Sequence, residues 1–206
     1  YIDDNIRFNN DGYCYCDRCI GKFEDMFHVF GATPVTRENL LKLLENRDIR
    51  AKWIEFNGII AERIYKTASD AVYDVNPNIE MGFMVHTGPF TKNEVERWAA
   101  AVKGKRNAVR IRPGGGLYDD LAQMDVLNKA VSIAKQNLDL PYYVDKIQSE
   151  IECFPSQGLA KSNRFLSAEC LLYIACGCNG VAFNNAPTYA STEQSFYDEY
   201  ADRNIL

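Results

Sequence analysis

No stretch of the 206-residue sequence gathers five or more basic residues, and the formal charge is −5. Proteins that bind nucleic acid through its phosphates need such a patch, so nucleic acid is not an expected partner. No apolar run approaches the roughly 20 residues of a membrane helix. A secretory leader is missing as well, so the expectation is a soluble chain, not membrane-bound, of undetermined compartment. Repeats and low-complexity segments are absent, which excludes a solenoid. The seven cysteines are odd in number and unevenly placed, so no disulfide framework is legible in them. Tyr1 is not an initiator residue, and Tyr1-Ile2-Asp3-Asp4 reads as the end of a strand. The expectation is therefore a single-domain fragment, 1–206, lacking its N-terminal part and any targeting signal.

What is present is ordinary globular composition, 47% hydrophobic and 25% charged, arranged as an alternation. Strand-like runs at 1–8, 79–85, 108–112, 146–152 and 180–183 are separated by helical patterns. Those patterns cover 20–30, then 36–46 behind Thr36 as N-cap, and a long amphipathic segment over 50–75. Further helical patterns cover 91–102, 117–138 and 159–176. Trp53 and Trp98 sit inside helical stripes and read as core, and Leu121, Met124, Leu127 and Val131 share one stripe. Such alternation predicts an α/β fold with a parallel sheet. Five strands would be the later part of an eight-stranded barrel, for which about 250 residues is typical. The fold expected is thus a partial (β/α)8 TIM barrel covering about strands 4 to 8, with a doubly wound open sheet as runner-up.

The stretch KIQSEIECFP organises this reading. At a strand's period of two, Lys146, Gln148, Glu150 and Glu152 share one face, and Ile147, Ser149 and Ile151 the other. Buried strands of βα series usually read as apolar runs, so two carboxylates near a strand's C-terminal end mark an active-site mouth. The other strand ends are also polar: Asp3 and Asp4, His86, Arg112 before three glycines, and Asn184 with Asn185. Paired carboxylates from different strands suit glycosidic bond cleavage, one protonating the leaving oxygen and the other attacking the anomeric carbon or activating a water. Three thiols at CxCxxC (Cys14, Cys16, Cys19) suit a structural zinc, or else form a metal-free loop.

YIDD followed by GYCYCDRC resembles the fourth-strand region of family 42 β-galactosidases, where a strand ends in Asn-Glu before a CxCxxC loop. IECFP resembles that family's seventh-strand motif, with the nucleophilic Glu three residues before a Pro. LLYIACGCNGVAFNN resembles the helix and eighth strand that follow. The resemblance implies a clan A glycoside hydrolase acting on a carbohydrate, retaining, with Glu152 as nucleophile and Asp4 as acid/base. Where the family has Asn-Glu this chain has Asp3-Asp4, so the β-galactosidase specificity is not carried over. In the family a fourth cysteine from earlier in the chain completes the zinc site.

Each residue keeps an alternative. Glu152 could be a structural carboxylate paired with Arg110, Arg112 or Lys146. Asp4 could bind substrate or pair with Arg7. Glu150 could orient neighbours or pair with an Arg. Arg112 and His86 could bind sugar hydroxyls or tune the carboxylates, and His86 could be structural; Asp3, Arg7, Glu150 and Asn184 complete the substrate-binding set. Two other functions stand beside hydrolysis: a non-catalytic carbohydrate-binding barrel, and a phosphosugar enzyme whose RPGGG amides cradle a phosphate. Unpaired sheet edges would promote self-association of a fragment.

Overall fold

The computed structural model describes residues 1–2, 14–85, 92–104, 108–138, 140–152 and 161–184, and of 92, 163 and 184 the backbone alone. The expected sites Asp3, Asp4, Arg7 and His86 lie outside the described residues, as does the side chain of Asn184.

Three helices come first. α1 (Asp17–Phe27) ends where His28 enters the left-handed region at φ 49°. The Glu24 carboxylate closes that end by accepting the amides of Val29 and Phe30, at 2.7 and 2.9 Å. α2 (Arg37–Leu43) starts as expected behind Thr36, whose hydroxyl accepts the Asn39 amide. α3 (Arg47–Val75) is capped by the Asn46 side chain, which accepts the amides of Asp48 and Ile49. Its 29 residues span about 44 Å, long enough to serve two cores. The first half buries Trp53 and Phe56 against Ile20, Phe23, Phe30 and Leu40. The second half brings Tyr65 to Phe83 and Trp98. Both tryptophans are core, as their helical spacing predicts.

The sheet follows: β1 (Gly82–Met84), β2 (Val109–Arg112), β3 (Val144–Glu152) and β4 (Gly180–Asn184), parallel and in the order β1-β2-β3-β4. α4 (Lys92–Val102), α5 (Gln123–Asn137) and α6 (Asn163–Ala175) are the crossovers. Among the four described strands the order never reverses, whereas a doubly wound sheet reverses at its switch point. Right-handed crossovers in a sequential order put every helix on the same face. Of the strand expected over 1–8, Ile2 is described; it forms a parallel bridge with Phe83, at the outer edge of β1.

The β2–β3 register shifts between Val109 and Arg110, where Val144 pairs with Val109 and Lys146 with Arg110; from Lys146 onward, parity divides the two faces of β3. Phe83, Val109 and Ile111 enter the core with Trp98 and Val102, and Ile151 enters a second core with Ile133, Leu166 and Tyr173. Truncating a residue such as Trp98 to Ala would cost about 3–5 kcal/mol. The alternate positions, Gly82, Arg110, Arg112, Lys146, Gln148, Glu150 and Glu152, share the opposite face. Gly82 is required there, since a Cβ would lie 2.4 Å from the Arg110 carbonyl oxygen.

One expectation is corrected. The helical pattern over 117–138 is a helix only from Gln123, and its stripe of Leu121, Met124, Leu127 and Val131 is exposed. The buried face of α5 carries Val126, Lys129, Ala130 and Ile133 instead. Periodicity fixes which residues share a stripe, but the neighbours decide which stripe turns inward.

Candidate functional site

The polar sheet face is layered along the strands. At its N-terminal end Glu80 accepts from Lys146 Nζ and Arg110 Nε, each at 2.7 Å, and also from Arg110 Nη2. The ammonium of Lys146 and the guanidinium of Arg110 hold the Glu80 carboxyl down at about 2. One layer up, Tyr1 donates its hydroxyl to Gln148 Oε1 at 2.9 Å, and its ring lies 5.8 Å from the Arg112 guanidinium carbon.

Next along β3, Arg112 Nη2 meets Glu150 Oε2 at 2.6 Å, with Glu150 7% exposed. The expected pairing of Glu150 with an arginine is thereby found. Arg112 Nε is buried and makes no hydrogen bond among the described residues, which leaves a donor for an oxygen-rich ligand. Glu152, half-buried, ends β3, and its register partner across β4 is Asn184. Of the cations that could meet Glu152, Arg110 and Lys146 form ion pairs with Glu80, and Arg112 forms one with Glu150. The structure therefore brings together Arg112, Glu150, Glu152 and the backbone of Asn184 at one strand end.

Two of the three glycine amides after Arg112 are bonded within the protein. Gly114 donates its amide to Gln136 Oε1 and Gly115 to the Val85 carbonyl, at 2.9 and 3.2 Å. Gly114 adopts φ +94°, and a Cβ there would meet Ile133 at 2.6 Å. Gly114 thus permits close packing on Ile133, and its amide and that of Gly115 are committed.

On the helix side of β3 lies a buried polar cluster that the sequence reading missed. Lys161 Nζ and Glu169 Oε2 form a 2.7 Å ion pair with both side chains fully buried, and Tyr173 donates to Glu169 Oε1 at 2.8 Å. Lys129 Nζ donates to the Glu150 carbonyl oxygen at 2.6 Å and lies 4.8 Å from the Tyr173 ring centre. Burial pulls the Lys129 ammonium down to about 8, against the raising influence of Glu169 and Glu150. A readable signal existed: Lys129 stands between Val126 and Ile133 on one helical stripe, a charge at a core position.

The cysteine loop is a second, separate cluster. Cys16 is the N-cap of α1 and Cys19 lies in its first turn. The ligand atoms of Cys14, Cys16 and Cys19 lie within 4.8 Å of one another. Burial and crowding by the other two push the Cys19 thiol up to about 12, while the Cys19 amide holds Cys16 down. Thiols this close resist joint ionisation unless a cation joins them. A tetrahedral site with Zn–S near 2.3 Å sets its sulfurs about 3.8 Å apart, so the cluster could hold a metal. Cys14, Cys16, Cys19, Cys170, Cys176 and Cys178 are all free thiols.

Comparison with family models, with curated proteins and with solved structures returns no match to this chain. Among the described residues no helix is long and apolar enough to cross a membrane. The described residues form a mixed α/β fold with a four-stranded parallel sheet and a three-cysteine cluster able to hold a metal.

Proposed function

We propose that the sheet is an arc of a (β/α)8 barrel and that the chain belongs to a retaining glycoside hydrolase. The observation that carries this reading is the placement of Glu152. It ends a strand of a sequential parallel sheet, on the polar face, one pleat beyond the Glu150–Arg112 pair. Barrel enzymes work at the C-terminal ends of their strands. Glu152 attacks the anomeric carbon, giving a glycosyl ester, while a second carboxyl group protonates the leaving oxygen. That second group is expected at Asp4 and lies about 5–5.5 Å from the nucleophile in retaining enzymes. Deprotonated, it then activates the water that hydrolyses the ester. Arg112 and Asn184 bind sugar hydroxyls beside it. The cysteine cluster holds a structural zinc, which fixes the start of α1 and takes no part in hydrolysis.

The test is covalent trapping. The protein is incubated with 2-fluoro aryl β-glycosides and α-arabinosides, and peptide masses are read. A glycosyl adduct on the peptide containing Glu152, lost in Glu152→Gln together with turnover of the unfluorinated substrates, is expected. An adduct elsewhere would move the nucleophile. Sugar binding without turnover would replace hydrolysis with a carbohydrate-binding role.

A further inference from the structure

β3 runs on past the neighbour that supports it. The last register pair between β2 and β3 is Ile111 with Ile147, β2 stops at Arg112, and β3 continues to Glu152. The candidate carboxylates stand on this overhang. In a strand, the amide and carbonyl of one residue point to the same neighbour, and successive residues alternate. The Ile147 carbonyl accepts the Asn179 amide on the β4 side, so the Glu150 carbonyl faces the β2 side, beyond the end of that strand. A helix side chain meets it there: Lys129 Nζ, at 2.6 Å. The same side is stitched one residue earlier, where Ser149 Oγ donates to the Pro113 carbonyl at 2.8 Å.

Burying an ammonium behind a sheet is costly, and an apolar residue would fill the space without that cost. Lys129 is 3% exposed. What the ammonium adds is a charge-assisted donor aimed at one backbone oxygen.

We propose that Lys129 is a positioning residue that clamps the overhanging end of β3, fixing how far Glu150 and Glu152 project from the polar face. The role rests on the hydrolase reading for its catalytic meaning, but the clamp itself does not. An error of about 1 Å in a reacting group costs up to about 100-fold in rate, so a donor on the backbone between two site residues is well placed to matter. The clamp is also pH-dependent. Charged and titratable groups face the ammonium from each element around it: Glu150 and Glu152 from β3, Glu169 and Tyr173 from α6, Lys161 just before α6 and Cys178 just after it. Burial dominates these influences, and the ammonium gives up its proton near pH 8.

The experiment is an NMR titration of the labelled protein, with kinetics on an aryl glycoside run beside it. In the wild type, the Glu150 carbonyl carbon and the Ile151 amide nitrogen should shift together with the Lys129 side-chain nitrogen, at one midpoint. That step should vanish in Lys129→Met and in Lys129→Arg, whose guanidinium stays charged. In Lys129→Met kcat should fall about 10-fold or more with KM within about twofold, and Lys129→Arg should restore most of it and remove the alkaline limb of the wild-type profile. Backbone signals that ignore the Lys129 titration overturn the proposal, and this wild-type measurement stands even if Lys129→Met does not fold. An unchanged kcat and pH profile in a folded Lys129→Met also overturns it. A backbone step at Glu150 in a wild type that turns over no glycoside supports the clamp and sinks the hydrolase reading alone.

Discussion

At the N-terminal end of the polar sheet face one carboxylate, Glu80, is gripped by two cations, Arg110 and Lys146. At the C-terminal end two carboxylates, Glu150 and Glu152, stand on the end of β3, with the Arg112 guanidinium on the first of them. The first arrangement fixes one protonation state and one geometry, as a structural cluster should. The second places two carboxylates where β3 ends, and Arg112 Nε makes no hydrogen bond among the described residues. On one sheet face, then, Arg110 and Lys146 converge on Glu80, while Arg112 meets Glu150 near the strand end.

The largest effect should separate these ends directly. Glu152→Gln should lower glycoside turnover by at least about 10³-fold with little change in melting temperature, because the proposed nucleophile is removed and a half-exposed surface is kept. Glu80→Gln should leave kcat unchanged; a comparable loss in both variants would break the division. The buried pair behind β3 should set the largest stability change. Glu169→Ala strands Lys161 without its counter-ion and should cost about 3–5 kcal/mol in urea unfolding. A cost below about 1 kcal/mol would mean that water reaches Lys161.

Lys129 gives the next effect, with a defined sign. Its pKa is lower folded (about 8) than unfolded (near 10.5), so the unfolded chain binds more protons between those values. Stability should therefore fall as pH drops from about 10.5 to 8, by about 3 kcal/mol. Lys129→Met should flatten that slope, seen by comparing the two unfolding curves at pH 7.5 and 10. A smaller change is expected in the helical region: a thiol-competing chelator, or Cys19→Ser, should remove the proposed zinc, one per chain by elemental analysis, and lower the melting temperature by roughly 5 °C. The smallest effect sharpens the comparison at its other end. Glu80 is depressed to about 2, so its contribution is complete above about pH 4.5 and is lost as pH falls toward 2. The melting-temperature gap between wild type and Glu80→Gln should close across that window, and a gap constant with pH would deny the cluster its role.

Much of the architecture was legible because it is local. Thr36 caps α2 as its hydroxyl requires, and the period-two row of Lys146, Gln148, Glu150 and Glu152 is one face of β3. Helix positions in α3 announced Trp53 and Trp98 is likewise buried in α4. Less legible was anything that depended on a partner far along the chain. Glu80 belongs to the polar face because Arg110 and Lys146, 30 and 66 residues away, turn toward it. The exposed stripe of α5 looks as apolar in sequence as the inner one, and the inner one contains a lysine.

The sequence by itself determined the alternation of strands and helices, the caps, the clustered thiols and which side chains of β3 share a face. Those follow from backbone period and from hydrogen bonds within a few residues. The tertiary structure alone decided which face of α5 turns inward, which cations meet which carboxylates and where β3 outruns β2. Those outcomes depend on the register between strands and on the burial of distant neighbours, and no local pattern encodes either of them.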